Sequence, residues 1–214
     1  TGVPDYGDLL VVPQSGEAKW KGKFEDPNGS GARFSHENEA ARLGFYEVLL
    51  EDENIRVNLS CTERAGMHQY TFPKSEEAHI ILDLIAGIYT YDGKTTWTFV
   101  RVENDTLITG YRQTNGWART RTVYFAMKFS KPFKSYGQKN YDGKQVYNGF
   151  WRKFDQTKNF PEIAGKNLKM YFDFDTNENE AIEVKLAISP VSQANALENI
   201  EREAGSLSFD QIKT

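Results

Sequence analysis

The sequence predicts an all-β protein, an antiparallel β-sandwich followed by a C-terminal linker helix. Three observations lead to this prediction. Apolar residues recur at every second position through most of the chain, Asp-Gly and Asn-Gly dipeptides separate the alternating stretches, and a helical pattern starts only after Pro190. Many short alternating strands with few helices are typical of two packed antiparallel sheets.

The alternation is clearest at 122–129, 168–174 and 182–188, where one face of each stretch is apolar and the other mostly polar. Such a pattern indicates half-buried strands. Further strands are predicted at 8–12, 18–24, 43–51, 55–61, 66–72, 78–85, 95–102, 106–113, 133–139 and 145–154. In the 55–61 stretch Cys61 shares the apolar face, so we expect it to be a small buried residue.

Three dipeptides predict tight hairpin turns. Asp92-Gly93 and Asp142-Gly143 each lie within a YDGK tetrapeptide, and Asn115-Gly116 lies between two predicted strands. These dipeptides readily adopt the positive φ angles that short hairpins need.

The C-terminal region predicts two helices. Ser192 is the expected N-cap of a helix over 192–204 and Gly205 its stop, while Ser208 and Gln211 have the spacing of a capping box. The second helix would be cut at Thr214 before completing two turns, which predicts that the natural chain continues. We therefore divide the chain into a sandwich at 1–190 and linker helices at 191–214.

Composition argues against two classes of partner. The net charge is −4 with lysine and arginine scattered, which disfavours a nucleic-acid surface. No apolar run approaches the ~20 residues that span a bilayer, which disfavours membrane insertion. The sequence carries no nucleophile elbow, phosphate-binding loop or dinucleotide fingerprint, so no catalytic residue is predicted.

Metal-binding motifs are incomplete. His36, His68 and His79 lack zinc-ligand spacing, and His79 is expected at the surface or in a groove. The stretch DFDTNENE begins like a calcium loop, but Glu178 stands where glycine is needed and Val184 where glutamate is needed. An acidic hairpin turn explains this stretch better, and no metal ligand is predicted.

The stretch RQTNGWARTR, residues 112–121, is the strongest candidate for recognition. Trp117 at a loop tip would stack on a sugar ring, with arginine and amide side chains bridging hydroxyl groups. Alternatively, Trp117 closes the end of the core, and Arg112, Arg119 and Arg121 are solvated outward strand positions. Composition alone leaves both interpretations open.

Read together, four blocks resemble one family. They are FSHENEAARLGFYEVLL, NIRVNLSCTERAGMHQYTFP, GYRQTNGWARTRTVYFAMKFSKPF and ISPVSQANALENIEREAG, and the opening TGVPDYGDLLVVP extends the likeness to the whole chain. They resemble the N-terminal domain of family 92 glycoside hydrolases, calcium-dependent bacterial exo-α-mannosidases.

The resemblance implies a β-sandwich of the supersandwich kind that precedes an (α/α)6 catalytic barrel in the same chain. It further implies a secreted enzyme, periplasmic or extracellular, that removes terminal α-mannose, by preference α-1,2-linked, from glycans with inversion. The catalytic carboxylates and most calcium ligands would belong to the barrel, so this part alone is expected to be inactive. Trp117 and Asp5, in the turn and in the TGVPDYGD start, are the expected substrate-binding residues.

Two alternatives from other classes remain at this stage. One is a free-standing carbohydrate-binding module that would bind sugar by itself. The other is a structural or adhesion sandwich without sugar affinity. If the chain is instead the N-terminal domain of the mannosidase, the exposed face of helix 192–204 is expected to be unusually apolar, because it would meet the barrel.

Overall fold

A computed structural model describes residues 7–16, 31–88, 91–141 and 161–213. These residues form thirteen strands, two α-helices and one short 3₁₀ helix. In chain order the strands are β1 (Leu10–Ser15), β2 (Glu39–Arg42), β3 (Phe45–Leu50), β4 (Ile55–Cys61), β5 (Ala65–Phe72), β6 (Ser75–Asp83), β7 (Thr95–Asn104), β8 (Leu107–Thr114), β9 (Arg121–Phe129), β10 (Ser135–Asn140), β11 (Glu162–Gly165), β12 (Leu168–Thr176) and β13 (Glu180–Ser189). The helices are α1 (Gln193–Glu203) and α2 (Phe209–Ile212), and the 3₁₀ helix spans His36–Asn38.

The strands form two antiparallel sheets. One has the order β1-β6-β12-β10, and the other has the order β11-β7-β8-β9-β13-β5-β4-β3-β2. The predicted all-β sandwich is confirmed. The described strands match the predicted ones except for β2 and β11, which sequence analysis missed, and the predictions at 18–24, 145–154 and Asp142-Gly143 lie outside the described residues.

The main core lies between the two sheets. The inward residues of β12, among them Phe172 and Phe174, pack against Phe129 of β9, with ring centroids 5.1 and 5.7 Å apart. Phe172 is fully buried. The period-two pattern that predicted these strands therefore also selected the residues of the core.

A second, smaller cluster lies on the outer face of the nine-stranded sheet. There α1 packs over β13 and β9, and its buried Ala196, Ile200 and Ala204 meet small side chains of the sheet such as Ala126 and Ala187. Small residues on both sides let the helix approach the sheet closely. Sheet and helix thus share one apolar layer.

The ends of the two helices agree with prediction. The Ser192 side chain accepts a hydrogen bond from the Asn195 amide at 3.1 Å, and the Gly205 amide donates to the Ile200 carbonyl at 2.7 Å. In α2, the Gln211 side chain accepts from the Ser208 amide at 2.8 Å. The exposed face of α1 is polar, however, with a Glu198–Arg202 ion pair, so the expectation of an apolar face there is wrong.

Glu203, the last residue of α1, holds the helix to the β4–β5 turn. Its carboxylate accepts from the Thr62 hydroxyl at 2.5 Å, the Arg64 amide at 2.8 Å and the Arg64 guanidinium at 2.7 Å. The Thr62 hydroxyl, followed by these Arg64 donors, holds the pKa of the Glu203 carboxyl below its ordinary value of 4.5. The charged carboxylate is therefore the form that stabilises the docked helix.

Glu203→Gln is expected to lower the free energy of unfolding at pH 7 by about 1–2 kcal/mol, since hydrogen bonds to a charged acceptor are lost. A lowered native pKa stabilises the fold above the unfolded-state pKa, and that contribution disappears as pH falls through the native value. The difference between wild type and variant should therefore shrink below pH 4.5. Urea denaturation at pH 7 and at pH 3.5 measures it, with Glu198→Gln on the exposed side of α1 as control. An equal loss at both pH values would contradict the assignment.

His79 is buried, which corrects the expectation of a surface or groove position. Its ring lies between the Asp173 carboxylate, 2.5 Å from Nδ1, and the Gly16 carbonyl oxygen, 2.6 Å from Nε2. These two contacts fix the orientation of the ring. The alternation placed His79 on the outer face correctly, but the Gly16 segment covers that face.

Residues 173–180 form the predicted acidic hairpin. Strand β12 ends at Thr176, β13 begins at Glu180, and Asn179 has a φ of 59° in the turn between them. Asp173 is bound by His79 and Ser135, and Asp175 by Lys134. Within the described ranges, no three histidine, cysteine, aspartate or glutamate side chains are grouped to hold a metal ion.

Candidate functional site

Several strand ends converge at one end of the sandwich. Thr114 at the end of β8 lies opposite Arg121 at the start of β9 and Thr95 at the start of β7. Asp83 at the end of β6 lies opposite Leu10 at the start of β1. We call the end formed by residues 7–9, 84–88, 91–94 and 115–120 the tryptophan end, because the turn at 115–120 carries Trp117.

Trp117 is 84% exposed. The alternative in which it closes the core is therefore wrong. Asn115 and Gly116 do not have the positive φ values predicted for a tight hairpin, because the connection is a six-residue loop in which the Gly116 amide donates to the Ala118 carbonyl at 3.0 Å. The turn prediction is confirmed at Gly93, whose φ is 80°.

The two turns at this end are bound to each other. The Asn115 amide donates to the Lys94 carbonyl at 2.8 Å, and the Tyr91 hydroxyl donates to the Asn115 carbonyl at 3.1 Å. These bonds restrict the first residue of the loop that carries Trp117.

Asp8 is held by both strands of the β8–β9 hairpin. Its carboxylate makes a bidentate pair with Arg121, at 2.9 and 2.8 Å, and its backbone carbonyl accepts a hydrogen bond from Arg112. These two arginines are the first and last residues of RQTNGWARTR. The stretch containing Trp117 and the end of TGVPDYGD, proposed separately from sequence, are therefore brought together, although Asp5 itself lies outside the described residues.

Arg112 points into the sandwich and is only 2% exposed, which contradicts the alternative in which it is a solvated outward residue. Its guanidinium also donates to the carbonyl oxygens of Ala86 at 2.6 Å and Ile85 at 3.1 Å and to the Thr95 hydroxyl at 2.9 Å. Burial lowers the pKa of this guanidinium, and the charges of Asp8 and Asp83 act in the opposite direction. Arg121 is half-buried, and only Arg119 is exposed as expected.

A buried ion pair holds the loop at 84–88, which Arg112 also binds. Lys169 Nζ lies 2.8 Å from Asp83 Oδ2, and both side chains are at most 5% exposed. Asp83 Oδ1 accepts the amides of Ile85 at 2.8 Å and Ala86 at 3.0 Å. Asp83 thus binds the amides, and Arg112 the carbonyls, of the same two residues.

A pocket of about 650 Å³ opens beside the Asp8 segment. Its walls include Leu9, Ala65, Leu186 and Ile188, with Cys61 at the rim. Cys61 is exposed, so the expected burial is wrong: the residue occupies an inward strand position but is the last of β4, where the core ends. Exposed Ile88, Tyr91, Ile188 and Val191 add further apolar surface around this end of the fold.

The chemistry available at the tryptophan end suits binding. Asp8 and Asp83 are held in ion pairs with Arg121 and Lys169, so these carboxylates stabilise structure. Trp117 offers an exposed aromatic face, the kind of surface that stacks on the apolar face of a ring. The described residues supply no set of ligands that fits calcium.

The fold defines a two-sheet antiparallel β-sandwich domain, and the comparisons with known proteins show its family. The family model described as the glycosyl hydrolase family 92 N-terminal domain matches residues 1–189. The chain belongs to this family.

Solved structures of the family resemble the whole chain. The family GH92 α-mannosidase BT3965 from Bacteroides thetaiotaomicron, solved in complex with mannoimidazole, is 35% identical over 100% of this chain with a TM-score of 0.85, and the match covers 27% of that enzyme. The family GH92 inverting mannosidase BT2199 from the same species is 24% identical over 96% of this chain with a TM-score of 0.74, and the match covers 25% of it. The second likeness supports the fold alone.

This chain thus spans about a quarter of the length of these enzymes. No match was found among curated protein sequences. In the part of the chain that the structure describes, neither helix has the length and apolar character needed to cross a bilayer.

Proposed function

We propose that this chain is the N-terminal domain of an exo-acting α-mannosidase that removes terminal, α-1,2-linked mannose from glycans with inversion. The observation that carries the proposal is the collinear match to the family over residues 1–189, with 35% identity to an α-mannosidase along the whole chain. In this proposal the chemistry belongs to a C-terminal (α/α)6 barrel, and this domain alone is inactive. The enzyme acts in the periplasm or outside the cell.

The domain's own part in the reaction is to supply one wall of the sugar site. Trp117 is the proposed contact, because it is exposed on a loop whose first residue is held by the neighbouring turn. Asp5 is the second proposed contact, since it lies three residues before Asp8, which the β8–β9 hairpin holds. We assign the calcium ion of the proposed enzyme to the barrel, where it would orient the sugar hydroxyls.

A free-standing sugar-binding module is the second candidate, and the exposed Trp117 favours it. Calorimetric titration of the 214-residue chain with α-1,2-mannobiose, with and without calcium, separates the two. Binding in the millimolar range or tighter would favour a sugar surface that is complete in this domain. Absence of heat would favour a site composed of both domains.

The proposal is tested by expressing the complete open reading frame that encodes this chain and assaying release of mannose from α-1,2-mannobiose. In that enzyme, Trp117→Ala is expected to raise KM about tenfold, the equivalent of ~1.4 kcal/mol. The free energy of unfolding should change by less than about 0.5 kcal/mol, because the side chain is an exposed surface residue.

Phe34→Ala, an exposed aromatic residue outside the tryptophan end, is the matched control and should leave KM unchanged. If Trp117→Ala leaves the kinetics unchanged but lowers the thermal midpoint, Trp117 has a structural role. If the complete enzyme releases no mannose, the proposed activity is wrong.

A further inference from the structure

We propose that Arg112 and Arg121 are positioning residues: together they clamp Asp8, so that the segment at 7–9 and the loop carrying Trp117 form one binding unit. This inference rests on the proposed function of the tryptophan end. It extends that function from the residues that would touch sugar to the residues that determine where those contacts lie.

The side chains of Arg112 and Arg121 lie on the same face of the nine-stranded sheet. Arg112 lies opposite Val123, and Arg121 lies opposite Thr114, in the β8–β9 register. All four residues therefore share the face that looks toward the four-stranded sheet. Asp8 lies two residues before β1 of that other sheet, so the clamp joins the two layers of the sandwich at the tryptophan end.

The two arginines bind different groups of Asp8. Arg121 binds the carboxylate with both Nη atoms, a geometry that fixes orientation as well as distance. Arg112 binds the backbone carbonyl of the same residue. Because the two arginines flank the 115–120 loop, neither its base nor Asp8 moves without loss of a charge-assisted bond.

Arg112 also binds two further segments at this end of the sandwich. Its bonds to Ile85 and Ala86 hold the loop that leads to exposed Ile88, and its bond to Thr95 holds the start of β7 next to the 91–94 turn. Gly7 packs against that loop, since a Cβ at Gly7 would lie 3.0 Å from Ile88 Cγ1. One guanidinium thus connects the segments at 7–9 and 84–88 with the start of β7, which follows the 91–94 turn.

Stability alone does not account for the burial of Arg112. Removing a guanidinium from water is costly, and a well-packed apolar residue at such a position often gives equal or greater stability. What the arginine provides instead is a fixed geometry, through directional bonds to carbonyls of separate segments. That property is useful where loops from different strands must present one surface.

The clamp predicts that loss of either partner at Asp8 affects both segments together. Arg121→Met and Asp8→Asn in the 214-residue chain are each expected to weaken binding of α-1,2-mannobiose about tenfold. Each should also accelerate amide hydrogen exchange both at residues 7–10 and at residues 115–120. The double variant should be no weaker than either single variant, since both remove the same interaction.

Arg56→Met is the matched control. It removes an arginine from an ion pair with Glu47 on the nine-stranded sheet, at the end of β4 away from Cys61. Sugar affinity and exchange at the two segments should then equal those of wild type, and any effect of a lost surface charge on stability is measured separately by the thermal midpoint.

The outcomes separate this inference from the proposed function. If wild type binds the sugar and Arg121→Met binds it equally well, the clamp has no positioning role. The proposal that this domain supplies one wall of the sugar site is then unaffected. If wild type alone binds no sugar, the isolated sugar surface fails, and the exchange data decide the clamp. Joint acceleration at both segments then supports it, whereas acceleration at residues 7–10 without residues 115–120 overturns it.

Discussion

Asp83→Ala is expected to lower the free energy of unfolding by about 3–5 kcal/mol, the range found when one partner of a buried ion pair is removed. The variant leaves the Lys169 ammonium at a site where its side chain is only 3% exposed. It also removes the acceptor of the Ile85 and Ala86 amides, at the point where β6 turns into the loop held by Arg112. Guanidinium denaturation at pH 7 measures the loss.

Asp175→Ala provides the control for this prediction. Asp175 also pairs with a lysine, Lys134, but its side chain is 65% exposed, and exposed pairs contribute about 0–1 kcal/mol. The double variant Asp83→Ala/Lys169→Met should regain part of the loss, because no uncompensated charge stays buried. If Asp83→Ala costs no more than Asp175→Ala, the buried pair is not a support of the tryptophan end.

Gly110→Ala is expected to destabilise the protein by about 3 kcal/mol, toward the upper end of the usual cost of overpacking. A Cβ at this position would collide with the Phe99 carbonyl oxygen on one side and the Phe125 ring on the other. Phe125 is fully buried, and a backbone oxygen inside a ladder cannot move aside, so neither neighbour yields easily. Thermal and urea denaturation measure the change.

Gly66→Ala is the matched control, since Gly66 is also a strand glycine of the nine-stranded sheet. There the nearest atom to an added Cβ is 3.6 Å away, an ordinary contact. Alanine is expected to be tolerated with a change below about 1 kcal/mol. Similar losses in both variants would contradict the assignment of the Gly110 effect to collision, because the lower chain entropy of alanine stabilises a fold.

The alternation of apolar and polar residues predicted strands correctly wherever side-chain burial follows the two-residue period of the chain. The strands β9, β12 and β13 alternate over most of their length, so their existence and most of their inward residues could be predicted from sequence. The four-residue strands β2 and β11 are too short to show a period, and they were missed. The Ser192 cap and Gly205 stop were recognisable because capping depends on residues only three to five positions apart.

The burial of polar residues at the candidate site could not be predicted from local periodicity. In LITGYRQT of β8, Tyr111 and Arg112 are adjacent, and ordinary hydrophobicity would place the tyrosine inside and the arginine outside. The structure places Arg112 inside because its acceptors come from Asp8, Ile85, Ala86 and Thr95, between 17 and 104 residues away. No local pattern contains that information.

The sequence by itself therefore determined the all-β sandwich, most of its strands, the helix ends and the family to which the chain belongs, because periodicity, caps and long collinear blocks can all be read along the chain. Only the tertiary structure decided that Arg112 is buried, that Cys61 and Trp117 are exposed and that Asp8 pairs with Arg121. The physical reason is that burial and pairing of polar groups depend on partners supplied by distant strands, and those partners meet only when the two sheets pack.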